Sequence, residues 1–143
     1  MSDALGSEAT AAIEQFIVGA PYGKLLEIRC DLIEPDHVRL RLPFRNDVTT
    51  LGEMVHGGAI ASLVDVAATA AAWAHPKASL KARGTTVGFS LNFLAPGLGR
   101  DLVADARIVQ RGRSLCVLEV GVEDENGDAV ARAMVTYKLA LPK

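Results

Sequence analysis

The sequence predicts an α+β fold in which an antiparallel β-sheet packs against one long central α-helix. Three observations carry this. The run from Gly57 to Ala74 (GGAIASLVDVAATAAAWA) is apolar and helical in spacing. Segments on both sides of it alternate apolar and polar residues, as half-buried strands do. The late segments follow one another through short turns, including Glu125-Asn126-Gly127-Asp128, whose Asn-Gly pair is a strong hairpin signal.

The elements follow in order. Residues Glu8 to Val18 predict a short amphipathic helix with Ile13, Phe16 and Ile17 as its apolar contacts, ended by Gly19, Pro21 and Gly23. Leu25 to Ile33 reads as a strand, Glu34-Pro35-Asp36 as a turn and His37 to Phe44 as a second strand. In that strand Val38, Leu40 and Leu42 alternate with Arg39, Arg41 and Pro43. Arg45 to Val55 is a loop leading into the long helix, which ends near Trp73 to His75, before Pro76. Further strands are expected at Thr85–Leu94, Asp101–Gln110, Ser114–Glu123 and Ala129–Leu139. On the helix, Ile60, Leu63, Val64, Ala67 and Ala71 share one face. Ser62, Asp65 and Thr69 lie roughly opposite, among further apolar residues. A helix apolar nearly all round needs cover on both sides. The sheet supplies one, and a second subunit is a candidate for the other.

Composition narrows the function. The chain of 143 residues suits one domain, 1–143, with residues 1–20 as an N-terminal helical segment. A net charge of −2 argues against nucleic acid as a main partner. The opening residues lack a basic segment followed by a long apolar one, so no signal peptide is expected. The alanine-rich helix with a central aspartate is read as buried rather than membrane-spanning, and a cytoplasmic location is expected. Cys30 and Cys116 lie in apolar strand-like runs without metal spacing and are read as reduced core or near-core residues.

Asp65 is the one ionisable side chain between Gly57 and Ala74. A carboxylate in such a helix must be paired, hydrogen-bonded or used. The run begins directly after His56, and a glycine pair at a helix start offers backbone N–H groups to a polarised oxygen. An electrophile-polarising amide and a base are the parts that acyl hydrolysis needs. A structural carboxylate is the competing reading of Asp65, and tight packing that of Gly57 and Gly58. His56 is read as a capping or loop-bracing group. It shares no ligand spacing with His37 or His75, so no metal is expected. Ser62, Ser114 and the cysteines lack a nucleophile-elbow context.

At Val55-His56-Gly57-Gly58-Ala59-Ile60, followed by Leu63-Val64-Asp65, the chain resembles the hotdog-fold acyl-CoA thioesterases of the PaaI-like, phenylacetate-degradation type. Thr86 to Pro96 (TVGFSLNFLAP), Gly112-Arg113 and the pattern from Val122 to Tyr137 support the resemblance, which runs from about residue 20 onward. It implies a sheet wrapped around the helix, and homodimers paired into homotetramers. It also implies active sites at the dimer interface, where one subunit's helix start faces the other's carboxylate. It further implies an acyl-CoA substrate and no cofactor. Asp65 is then base or nucleophile, Gly57 or Gly58 polarises the thioester, His56 positions, and Thr86 holds the attacking water. Many such proteins carry asparagine six residues before the histidine. Thr50 stands there in this chain, with Asn46 the nearest asparagine. Arg111, Gly112 and Arg113 are either a solvated turn or a contact for coenzyme A phosphates, with Lys81, Arg83 and Arg100 as further candidates. Met54, Trp73 and Phe89 are read as core or acyl-pocket walls. An enoyl-thioester hydratase and a non-catalytic acyl-CoA binding module are the competing functions.

Overall fold

The computed structural model describes residues 5–141. A short helix α1 (Ser7–Ala12) continues as a π-helical turn (Ile13–Val18) and is followed by α2 (Pro21–Leu25). Strands β1 (Arg29–Glu34) and β2 (His37–Leu42) form a hairpin. A single 3-10 turn (Asn46–Val48) precedes α3 (Gly57–Trp73), and β3 (Arg83–Phe93), β4 (Leu102–Arg111), β5 (Leu115–Asp124) and β6 (Ala129–Ala140) complete the chain. All strand pairs are antiparallel, in the spatial order β1-β2-β4-β5-β6-β3. The strand that follows the helix therefore lies at the far edge, paired only with β6 among the described residues.

The sheet buries alternate residues against α3. Val38, Leu40 and Leu42 of β2 point inward, as do Leu102, Ala104 and Ala106 of β4, Leu118, Val120 and Val122 of β5, and Val135, Tyr137 and Leu139 of β6. Each is at most a few per cent exposed, while their neighbours along each strand face outward. The helix answers with Leu63 and Val64 among a run of buried alanines, Ala67, Ala68, Ala70, Ala71 and Ala72. Small residues on both surfaces let the helix axis lie close to the sheet.

Three expectations from the sequence need correction. Pro21 does not simply stop a helix. It sits in the first turn of α2, where its fixed φ suits a helix start and its missing N–H is no loss. The strand expected from Leu25 begins only at Arg29. Leu25 ends α2 and stays exposed, Glu27 takes a positive φ of 58°, and Leu26 and Ile28 reach the core from the turn. Finally, part of the second face of α3 is covered within the same chain. The π-helical turn packs on α3 and adds Ile13, Ile17 and Val18 to the core. Ser62, Asp65, Val66 and Thr69 stay partly accessible. Cys116 is buried, whereas Cys30 is only half-buried. Among the described residues no helix is long and apolar enough to cross a membrane.

Two contacts fix the distal parts of this packing. The indole N–H of Trp73, at the end of α3, donates to the Tyr137 hydroxyl of β6 at 2.9 Å. Strand β3 passes directly over that phenol, and a Cβ on Gly84 would lie 2.4 Å from the hydroxyl oxygen. Only glycine fits there. Beyond the helix end, Arg111 donates to the Ala72 carbonyl at 3.1 Å and to Asp36 at 2.8 Å. A guanidinium at a helix C-terminus satisfies orphan carbonyls and opposes the dipole.

The outer face of the sheet is charged. His37, with its ring nitrogens 2.8 Å from Glu34 and 2.9 Å from Asp105, is the one buried charged or polar residue among those described. Arg39 and Arg107 also bond Asp105, at 3.1 and 3.0 Å. Burial pushes the Asp105 carboxyl up, but the bonds from His37, Arg39 and Arg107 prevail and hold it below the usual carboxylate range.

Gly84→Ala should lower stability by about 1–3 kcal/mol, because the strand or the phenol must move. A thermal or urea melt reads this, and an unchanged midpoint would show that β3 yields freely. Asp105 supplies a second expectation. Its folded pKa is depressed, so its stabilisation is complete above the unfolded carboxylate value and fades as pH falls through the folded one. The urea midpoint of the wild type should thus drop more steeply on acidification than that of Asp105→Asn. Parallel pH profiles would rule Asp105 out as the source.

Candidate active site

Helix α3 begins with a specific cap. The His56 Nδ1 accepts the Gly58 N–H at 2.8 Å, which places a neutral ring's proton on Nε2. The His56 carbonyl takes the Ala59 and Ile60 amides at 3.0 and 3.1 Å. Of the two glycine amides, that of Gly58 is therefore used inside the cap. The Gly57 N–H meets no acceptor among the described residues. Gly57 also lines an apolar cavity of about 480 Å³. Its Cα faces the Phe93 ring, which a Cβ at this position would approach to 3.3 Å. The sequence left the two glycines equivalent, and the cap distinguishes them.

Asp65 lies two turns further along the helix. The Thr86 hydroxyl donates to its Oδ1 at 2.6 Å, and both side chains are partly accessible. The register of β3 on β6 shifts between Thr86 and Gly88, a bulge that leaves Val87 60% exposed. Bulges re-aim side chains, and this one accompanies the turn of Thr86 toward the helix. Behind the pair stands a cluster that sequence reading missed. Thr69, one turn after Asp65, lies beside the Tyr137 hydroxyl that takes the Trp73 N–H at 2.9 Å. Burial raises the phenol's pKa; the Trp73 bond opposes this, and the charge of Asp65 adds to it. Two signals were available. Thr69 is at i+4 from Asp65, and an inward tyrosine in β6 requires a partner for its hydroxyl.

The remaining sequence candidates are dispersed. Thr50 is exposed and lines the cavity beside Gly57, with Met54 as another wall. Asn46 starts the 3-10 turn, where its carbonyl accepts the Thr49 hydroxyl, and it is not among the cavity-lining residues. Arg111 is engaged by Asp36 and the end of α3, so it is not a solvated turn residue. Gly112 and Arg113 are exposed beside Lys77 and His75 around a smaller basic depression. Arg83 bonds the Leu80 and Ala82 carbonyls, and Lys81 and Arg100 are exposed. Trp73 is core, whereas Phe89 is 39% exposed on the edge strand. The Ser62 hydroxyl donates back to the Gly58 carbonyl and meets the Tyr22 hydroxyl, each at 2.8 Å. Burial pushes the Cys30 thiol to about 11 and raises that of Cys116, so neither is a ready thiolate at neutral pH.

The model of the thioesterase superfamily matches residues 52–131, more than half of the chain and the whole stretch from the helix cap through β3. The chain belongs to the thioesterase superfamily. It is a thioester hydrolase with the PaaI-like hotdog fold. The medium/long-chain acyl-CoA thioesterase YigI of Escherichia coli is 26% identical over 139 residues, covering 87% of this chain and 88% of YigI. Among solved structures, the E. coli PaaI protein from the phenylacetic acid degradation operon superimposes with a TM-score of 0.80 at 19% identity, over 91% of each chain. A hypothetical thioesterase of Streptococcus pneumoniae, solved with coenzyme A, superimposes with a TM-score of 0.71 at 23% identity, over 81% of this chain and 88% of that one.

His56→Ala should remove the cap and destabilise this thioesterase by about 1 kcal/mol, within the range for lost N-cap side chains. A urea titration reads the change. Full retention of stability would mean that solvent caps Gly58 equally well.

Proposed function

We propose that the protein hydrolyses an acyl-CoA thioester to a carboxylic acid and coenzyme A, with Asp65 as general base. The observation that carries this is the carboxylate itself. Asp65 stands in an otherwise apolar helix, oriented by Thr86 at 2.6 Å and still reachable from solvent. Thr86 binds one oxygen, and the other is left to take a proton from water. The water oxygen attacks the thioester carbonyl, whose developing negative charge is met by the Gly57 N–H. The C–S bond then breaks, and the thiolate leaves with a proton. Losing one amide of this kind typically costs about 2.7–4 kcal/mol of barrier. The relationship to YigI supports coenzyme A as the thiol carrier, as does the coenzyme A held by the S. pneumoniae relative. Arg113, exposed beside Lys77, offers a guanidinium to its phosphates.

One copy does not suffice. Asp65 follows Gly57 by eight residues, or about 12 Å along the helix at ~1.5 Å per residue. Base and amide of the same chain cannot meet at one carbonyl. The outer edge of β3, unpaired among the described residues, offers the solution. It carries Thr86 and exposes Val87, Phe89 and Phe93, and such an edge invites pairing with another strand. A two-fold-related copy joined there brings its own helix start toward Asp65. We therefore assign the active unit to a homodimer, with two sites each built from both chains, and tetramers as pairs of such dimers. A carboxylate base set mid-helix beside Thr86, with the His56 Nδ1 taken up by the helix cap, favours hydrolysis over hydration of an enoyl thioester.

Free-thiol release from an acyl-CoA panel tests the chemistry. Asp65→Asn should lose two to four orders of magnitude in kcat, the usual range for a general base, while folding and coenzyme A binding persist. Binding without turnover by the wild type on every substrate would favour a sensor. Mixing tests the shared site. Asp65→Asn and Gly57→Val are each expected to be inactive alone, and activity should reappear after subunit exchange. Persistent inactivity of exchanged dimers would mean that no site draws Asp65 from one chain and Gly57 from the other, and the shared site would fall.

A further inference from the structure

Resting on that reading of Gly57, we infer that the cavity beside it takes an apolar acyl chain of medium to long length without a charged end, with Phe93 as the wall next to the carbonyl. The cavity is walled by Met54, Val55, Ile60, Phe93, Leu94 and Pro96, and Thr50 brings the one side-chain hydroxyl. No lining side chain bears a charge or an amide. A terminal carboxylate would be buried here unpaired, which is strongly unfavourable. The apolar surface continues past the mouth. Leu98 pairs with the wall residue Met54 in an isolated bridge, and Leu51 accepts the Met54 amide through its carbonyl. Leu51 and Leu98 are 76% and 52% exposed, and Phe93 and Leu94 are each 55% exposed. Phe93 belongs to the edge assigned to the dimer; the other three, exposed and joined to the cavity wall directly or through Met54, mark a binding groove rather than ordinary surface. A chain that starts at the Gly57 amide has this path before it: under the Phe93 ring, through the cavity, and out over the Leu51–Leu98 rim.

The test separates this inference from catalysis by using S-alkyl coenzyme A thioethers, which bind but are not hydrolysed. Their affinity should rise about three- to fourfold per added methylene until the groove is filled. An analogue ending in a carboxylate should lose that gain. Ala95 is an exposed cavity residue, and Ala95→Phe should make affinity level off at a shorter chain. Leu98→Asp should lower the ratio of long-chain to short-chain affinity by more than tenfold. Melting curves confirm that both variants fold. Affinity independent of chain length, or a gain that neither variant alters, would overturn the assignment. If the chain-length gain holds but no acyl-CoA is hydrolysed, the groove stands and the hydrolytic role of Asp65 falls. If hydrolysis depends on Asp65 and the series is flat, the groove falls and the hydrolase stands.

Discussion

The close approach of α3 to the sheet governs the rest of the molecule. It depends on alanines at Ala67, Ala68, Ala71 and Ala72 on the helix and at Ala104 and Ala106 on β4. Interiors pack at near-crystalline density, so a helix held this close excludes water from every polar atom it carries inward. Each such atom then needs a protein partner. The Trp73 N–H, carried inward, finds Tyr137, and Asp65, at the margin and partly accessible, finds Thr86. Both partners come from β3 or β6, so polar satisfaction along one helix face fixes where the last and edge strands lie. Gly84 belongs to the same constraint, because β3 reaches the helix only by crossing the phenol without a Cβ.

That constraint also shapes the chemistry. A rigid helix holds the Gly57 amide and the Asp65 carboxylate at a fixed separation too long for one reaction centre. In the proposed homodimer the edge position of β3 turns this separation into a reason for assembly. A strand at the edge bearing the carboxylate's partner would make pairing of subunits and completion of the site a single event. On that proposal, destabilising the edge would remove activity before it unfolds the domain. An isologous contact of this kind yields two equivalent sites by symmetry.

Much of the fold was legible from period alone. The strands β2, β4, β5 and β6 alternate cleanly because one face meets α3 and the other meets water, and Asn126-Gly127 fixed the final hairpin. The N-terminal region was less legible. Leu25, Leu26 and Ile28 look strand-like in isolation, and only packing decides that two are buried from a turn. Asp65 stood out because a lone carboxylate in an apolar run is expensive. Its partner Thr86 entered through family likeness alone, since spacing along the chain does not report a bulge that turns one side chain across to a helix. The different fates of Gly57 and Gly58 were hidden for a related reason. Both can donate at a helix start, and only the rotamer of His56 determines which one is already used.

Two concavities compete as the binding site, and size does not decide between them. The larger, about 620 Å³, lies on the outer sheet face among Arg39, Arg41, Arg107, Arg132 and six carboxylates. Its arginines are already committed: Arg39 and Arg107 to Asp105, Arg41 to Asp31 and Asp101, Arg132 to Glu119. A ligand there would have to displace these pairs and compete with water for them. The smaller cavity presents the opposite balance. Its walls are apolar, and Gly57, whose N–H meets no acceptor among the described residues, lines it. Apolar burial supplies affinity without recognition of charge, and one unsatisfied donor supplies orientation. The proposed thioester substrate has that composition, with a single polarisable oxygen at the head of an apolar acyl group, so chemical fit favours the smaller cavity.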